Sequence, residues 1–281
     1  MPKTFEEMLK EKQLANLQKN SSSHIKDQSK ILSPTFKCPI CKDVGAVLYK
    51  VKDKFGKEYD YANPCECRTG RIKECRLLFA NIPDEFKNLT INSFETNIYK
   101  NQAFEAVQVK KICANYVNNF QEMKEKGKGL YLHSETKGSG KTRMAISIAN
   151  AIINYKNTAA KFTTAIRIIE EIKRTFNDDL ADKNVIRDLQ RIDVLVIDDI
   201  GTERNKPFVN EQFYSILDER LINRKVTIFT SNCAIEDLEI DDRIVNRIQK
   251  MAVPIRFPEE SIRWDLAIEE NESIITDLLK P

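Results

Sequence analysis

The chain has 281 residues, 31% of them charged and 41% apolar, with a formal net charge of only +3. That length suits one good-sized core with a smaller module beside it, and the composition excludes a fibrous or wholly disordered chain. No apolar run approaches the roughly 18 residues of a membrane span, and the first residues lack the apolar centre of a secretory signal, so a cytoplasmic protein is expected.

The charge is uneven. The first 80 residues hold 16 Lys and Arg against 10 Asp and Glu, leaving the remainder slightly acidic. A basic front end of this size is compatible with nucleic acid or an acidic partner. Thr4-Phe-Glu-Glu7 has the form of a capping box and Phe5, Met8 and Leu9 begin an apolar stripe, so a helix over 4–19 is expected, either a solvated arm or a docking helix. The Ser-rich stretch that follows, to residue 30, reads as a linker.

Of the seven cysteines, five lie between Cys38 and Cys75. In a cytosolic chain such crowding argues for a metal rather than for disulfides. Cys38-Pro-Ile-Cys41 is a tight knuckle, and Cys65-Glu-Cys67 follows across an expected hairpin at 46–61 that turns at Phe55-Gly56. Two close pairs bracketing a hairpin are what a tetrahedral Zn²⁺ site of the structural kind needs. Either Cys67 or Cys75 could complete the set. Cys67 is favoured, because a helix over 71–79 would carry Cys75 away. Cys113 and Cys233 stand singly in apolar surroundings and read as buried packing residues.

A connector at 82–94 leads to an amphipathic helix over 101–119, whose stripe is read as Phe104, Val107, Ile112 and Val117, and then to a Lys- and Gly-rich turn at 124–128. Next comes Gly129–Ala145, GLYLHSETKGSGKTRMA: an apolar strand, a glycine-rich loop and a helix that runs to about residue 155. That order makes a phosphate loop. Gly138 and Gly140 let the backbone turn its N–H groups inward, Lys141 would reach the β- and γ-phosphates of ATP, and Thr142 would supply a hydroxyl to Mg²⁺. Ser139 and Arg143 complete the nucleotide-binding set. Glu135 stands where such loops usually carry their first glycine, which predicts reduced nucleotide affinity.

A short strand at 160–164 and helices over 166–176 and 183–191 follow. The run Val194-Leu-Val-Ile-Asp198-Asp199 is a buried parallel strand that delivers two carboxylates at its end. Asp198 would hold Mg²⁺, and Asp199 would orient or deprotonate the attacking water. After a helix over 211–223, the strand 226–230 ends in Ser231-Asn232, where the Asn232 amide can reach a γ-phosphate or the lytic water. A short helix over 242–249 places Arg243 and Arg247 one turn apart. A last strand at 252–257 and a helix starting near Ser261-Ile-Arg263-Trp264 close the chain. Only 24 residues follow that strand, which leaves any DNA contact to the core or the cysteine module.

Gly-Lys-Thr at 140–142, Ile-Asp-Asp-Ile-Gly at 197–201, Thr-Ser-Asn at 230–232, Arg-Ile-Val-Asn-Arg-Ile at 243–248 and Ser-Ile-Arg at 261–263 resemble, in order and spacing, the AAA+ ATPases of the DnaC/DnaI helicase-loader group. The resemblance covers roughly 82–270, and the cysteine module before it is similar to the zinc-binding amino-terminal domain of the DnaI and phage members. It implies an α/β AAA+ P-loop core, 81–281, with a parallel sheet flanked by helices, preceded by a zinc-binding, partner-interaction domain at 31–80. It makes Asn232 the sensor-1 residue, Arg247 an arginine finger offered to a neighbouring subunit, and Arg263 the sensor-2 residue. Here Pro258-Glu259-Glu260 replaces the usual glycine before Ser-x-Arg. A surface ion pair to Asp241 or Asp242 is the alternative for Arg247. The implied activity is slow ATP hydrolysis coupled to loading a DnaB-type hexameric helicase onto single-stranded DNA in replication, with self-association through the ATPase domain. Two other readings are an IstB-type transposition helper and an adaptor that binds ATP with little turnover.

Overall fold

A computed structural model describes residues 36–177, 184–201 and 207–279. The helix expected at 4–19 and its linker lie outside the described residues. The chain divides into two compact units, Met1–Cys65 and Glu66–Pro281.

The first unit is built on an antiparallel hairpin, β1 (Ala46–Lys52) with β2 (Glu58–Pro64), running three residues further than expected. Gly56, at φ 82°, makes the turn that the Phe55-Gly56 pair announced, and the Asp53 carboxylate caps it by accepting the Phe55 and Lys57 N–H groups. Pairing puts Tyr49, Val51, Tyr59 and Tyr61 on one face, all of them exposed.

The second unit begins with α1 (Cys67–Phe79), which starts earlier than the expected 71–79. The boundary expected at residue 80 falls beyond this helix, and the larger unit includes it for a plain reason. Ala80 is fully buried in the larger core, and its carbonyl accepts the Phe162 N–H at 2.7 Å.

The core is a parallel sheet ordered β4 (Ala160–Thr164), β5 (Val194–Ile200), β6 (Val226–Ser231), β3 (Gly129–His133), β7 (Ala252–Arg256). Its inner strands β3, β5 and β6 are buried on both faces because both faces are covered. Leu130, Leu132, Val194, Val196, Val226 and Ile228 point into one apolar cluster, and Tyr131, Leu195, Ile197 and Phe229 into the other. The first is closed by α2 (Ala103–Asn118) and α4 (Lys141–Tyr155), the second by α5 (Ala165–Asn177), α7 (Pro207–Ile222) and α8 (Asp242–Met251). Each such residue contributes about 1.5–3 kcal/mol on burial.

Two expectations fail locally. On α2 the buried stripe is Ala106, Val109, Cys113, Tyr116 and Val117, whereas Phe104, Val107 and Ile112 face solvent. The buried set follows the helical 3.6 period, and the expected set does not. The turn expected at 124–128 is mostly a helix, α3 (Phe120–Lys126), ended by Gly127 in the left-handed region at φ 65°. The remaining elements, α6 (Val185–Arg191) and α9 (Arg263–Leu278), lie where they were expected.

At the base of the sheet Arg220, on α7, is fully buried. It donates to Thr227 Oγ1 and to the carbonyls of Leu189, Ile192 and Val226 at 2.6–2.9 Å. Burial pushes its pKa down to about 9, opposed by Asp193, and the guanidinium stays charged because its donors are matched to acceptors. It thereby fastens the starts of β5 and β6 to the end of α6.

Candidate nucleotide-binding site

The C-terminal ends of β3, β5 and β6 meet at one edge of the sheet, where open α/β folds place their ligands. From β3 the chain enters the loop 134–140. Gly138 (φ 82°) and Gly140 (φ 88°) occupy the left-handed region, so a side chain at either is strained. Space forbids one as well. A Cβ at Gly138 would come within 2.9 Å of Arg263 Cβ, and one at Gly140 within 2.9 Å of the Phe94 ring and the Tyr99 hydroxyl. Tyr99 donates its O–H to the Ser139 carbonyl at 2.8 Å, clamping the loop from behind. Glu135 is exposed with negative φ, so the loop tolerates its side chain without backbone strain.

Lys141 opens α4 and turns its ammonium into the loop, donating to the carbonyls of Ser134 (3.1 Å) and Thr136 (3.0 Å) and to Ser139 Oγ (3.3 Å). Burial lowers its pKa, opposed by Glu259, Asp199 and Asp198. On the facing strand Asp198 Oδ1 accepts from Thr142 Oγ1 at 2.8 Å and from Thr230 Oγ1 at 2.6 Å. Burial raises the Asp198 pKa, an effect those two hydroxyls oppose. A carboxylate penalised by burial beside a Thr hydroxyl is an all-oxygen donor set of the kind Mg²⁺ takes together with phosphate oxygens.

Asp199 follows an irregularity in the β5–β6 register and has φ 57°, a left-handed backbone that is uncommon for a non-glycine residue. Its N–H donates to Thr230 Oγ1 at 2.9 Å, and its carboxylate accepts from Asn232 Nδ2 at 2.7 Å. The bulge thus turns two successive carboxylates in different directions. Asp198 faces Thr142 and Asp199 faces Asn232.

A cavity of ≈ 540 Å³ opens here, lined by residues 137–143 together with Asp198, Asp199, Asn232 and Arg263. Arg143 is held by donating to the Ser93 carbonyl at 2.9 Å. Arg247 does not line the cavity. Its guanidinium donates to Asp218 Oδ1 at 2.6 Å and stacks 5.0 Å from the Tyr214 ring centre, while Arg243 takes Asp241. The ion pair weighed for Arg247 therefore exists, with Asp218 in place of Asp241 or Asp242.

The sulfurs of Cys38, Cys41, Cys65 and Cys67 all lie within 4.8 Å of one another. Cys38 and Cys65 Sγ are 3.8 Å apart, matching the edge of a tetrahedron with ligands at about 2.3 Å and far above a disulfide's ~2.05 Å. The Gly45 N–H donates to Cys41 Sγ at 3.3 Å, and Cys67 heads α1, whose N-terminus favours a thiolate. Cys75 is exposed and outside the group. Cys113 is fully buried, its thiol pushed up to about 12 by burial, whereas Cys233 is only partly buried.

The family described as IstB-like ATP binding protein matches residues 100–263, more than half of the chain. The chain belongs to this IstB-like ATP-binding family. Among curated relatives, the uncharacterized protein YqaM of Bacillus subtilis is 27% identical, covering 77% of this chain and 80% of its own. The replicative helicase loader DnaC of Buchnera aphidicola subsp. Baizongia pistaciae is 24% identical over 64% of this chain and 76% of its own. The crystal structure of the DnaC helicase loader superposes on 63% of this chain and 100% of its own with a TM-score of 0.54 at 25% identity. The chain thus has the AAA+ fold its motifs implied.

Sequence reasoning did not single out Thr230, Tyr99, Glu259, Phe86 or Ile262 as site residues of this IstB-like protein. Phe86 and Ile262 add an apolar wall to the cavity. Thr230 had a local signal in its place before Ser231-Asn232 at a strand end, and Glu259 and Ile262 in the stretch around Ser-x-Arg. Tyr99 and Phe86 arrive from distant segments by packing. No described helix is long and apolar enough to cross a membrane.

Proposed function

We propose that the protein is an ATP-hydrolysing loader of a hexameric, DnaB-type replicative helicase onto single-stranded DNA. The observation that carries the reading is the convergence of Lys141, Thr142, Asp198, Asp199, Asn232 and Arg263 on one cavity. In this reading Lys141 exchanges its loop carbonyls for the β- and γ-phosphates, and Arg143 and Arg263 bind from the sides. Mg²⁺, held by Thr142 and Asp198, supplies charge neutralisation on the phosphates when bound. Asp199 orients or deprotonates the attacking water, and Asn232 fixes the Asp199 carboxylate while offering its amide to the γ-phosphate. A zinc ion on Cys38, Cys41, Cys65 and Cys67 supplies the small unit with its cross-link, and that unit contacts the helicase.

Arg247 serves a neighbouring subunit as an arginine finger, a role worth roughly 10³–10⁵ in rate elsewhere, and must leave Asp218 to do so. Arg247→Ala then binds ATP normally and hydrolyses it poorly. Mixing it with Lys141→Ala restores activity at interfaces where an intact finger meets an intact loop. An unchanged rate in Arg247→Ala leaves only the ion pair with Asp218.

Two assays test the whole. The chain should capture a hexameric helicase in the presence of ATP, and single-stranded DNA should stimulate its hydrolysis. Capture of a transposase instead would favour the transposition-helper reading, for which the family match speaks. Binding of ATP with no turnover in any partner's presence would favour the adaptor.

A further inference from the structure

The two places where the sequence departs from the loader pattern, Glu135 in the phosphate loop and Glu259 before Ser-x-Arg, meet in space. Glu259 Oε2 accepts from Ser134 Oγ and from the Thr136 N–H, each at 2.9 Å, and the Glu135 N–H turns toward the same carboxylate. Ser134 Oγ also lies 3.1 Å from the Pro258 carbonyl, and the Ile262 N–H donates to the Gly138 carbonyl at 3.1 Å. The connector between β7 and α9 is therefore stitched to the phosphate loop at both ends of the loop. Its second carboxylate, Glu260, accepts the N–H groups of Lys100 (2.8 Å) and Asn101 (3.0 Å), fastening the lead-in to α2.

These bonds act on the groups that meet the nucleotide. Ser134 and Thr136 are the residues whose carbonyls hold the Lys141 ammonium, and Arg263 begins α9 immediately after the connector. A loop beginning with glycine could move at this point. Here Glu135 narrows that freedom, and the carboxylate across from it takes the N–H donors of the loop's first turn.

We infer that Glu259 is a positioning residue of the nucleotide site: its carboxylate holds residues 134–136 against the β7–α9 connector, so that the loop carrying Lys141 and the helix start carrying Arg263 keep one geometry. The inference rests on the nucleotide-site reading above. Charge-assisted bonds from a hydroxyl and a backbone N–H to one oxygen are strong enough to set a loop's resting shape. Pre-setting that shape removes an ordering cost from ligand binding.

The test measures affinity for Mg²⁺-ATP and Mg²⁺-ADP, KM and kcat for hydrolysis, and thermal stability without nucleotide in full-length variants. Glu259→Ala should weaken both nucleotides about tenfold and raise KM with kcat changed far less, as expected when two charge-assisted bonds that shape a site are lost. Glu259→Gln keeps an oxygen that can accept both donors and should return affinity to within about threefold of the parent. Ser134→Ala removes the hydroxyl's contacts, the one to Glu259 among them, without removing the acid and should fall between them, which keeps the test open if Glu259→Ala folds poorly. Lowered thermal stability with unchanged affinity in Glu259→Ala would overturn the inference and leave Glu259 a purely structural contact. Equal loss in the Gln and Ala variants would overturn it too, because charge and not positioning would then be the cause. The underlying site reading fails separately, through Lys141→Ala binding nucleotide as well as the parent.

Discussion

The hairpin around the cysteines and the nucleotide-binding unit keep their shapes by opposite means. Along β1 and β2 nearly every side chain is exposed, and the residues buried near them are Cys38, Cys41 and Cys65. The larger unit buries long runs of Val, Ile and Leu on both faces of its sheet and even encloses a charged Arg220. A two-stranded hairpin cannot bury enough apolar area to offset the entropy of ordering its chain, so a cross-link must supply what a core would. In the proposed reading, a zinc ion on the four sulfurs is that cross-link for the described hairpin. In the larger unit no single contact has that weight.

The strongest way to break the comparison is to remove the proposed zinc ion. Chelation, or Cys65→Ser, should abolish zinc binding and unfold residues 36–65, seen as lost amide-exchange protection there, while the larger unit keeps its protection. Full zinc retention in Cys65→Ser would sink the ligand assignment. Within the larger unit the largest functional effect should come from Lys141→Ala, which loses nucleotide binding. Asp199→Asn should keep binding and lose turnover if, as proposed, Lys141 holds phosphate and Asp199 acts on water. Hydrolysis at the parent rate in Asp199→Asn would move the catalytic role elsewhere.

Arg220→Ala sharpens the contrast from the other side. It strips the carbonyls of Leu189, Ile192 and Val226 of their donor and opens a cavity, so a loss of at least about 3 kcal/mol is expected in denaturant unfolding. The unit should remain folded under native conditions, and zinc content should not change. The smallest expected effect is that of Cys75→Ser. Its thiol is exposed and outside the sulfur group, so metal analysis and stability should both match the parent.

Much of the fold was legible because parallel strands buried on both faces announce themselves as apolar runs, and 129–132 and 194–197 are such runs. The nucleotide loop and the paired Asp198-Asp199 were legible for a related reason. Phosphate chemistry demands particular residues at short, fixed spacings. Helix faces were read less well. On α2 large side chains drew attention to Phe104 and Ile112, while the helix packs through Ala106 and Val109, whose small size lets it approach the core.

What the sequence determined by itself was whatever depends on neighbours along the chain: strand periods, the glycine turn ahead of Lys141, the knuckle Cys38–Cys41 and the order of motifs. The tertiary structure alone decided which distant groups meet. It gave Arg247 to Asp218, buried Arg220 among carbonyls, and set Glu259 on the phosphate loop. The physical reason is range. Backbone preferences and side-chain periodicity act over a turn or two of chain, whereas a hydrogen bond or an ion pair forms between whichever partners packing leaves within about 3 Å.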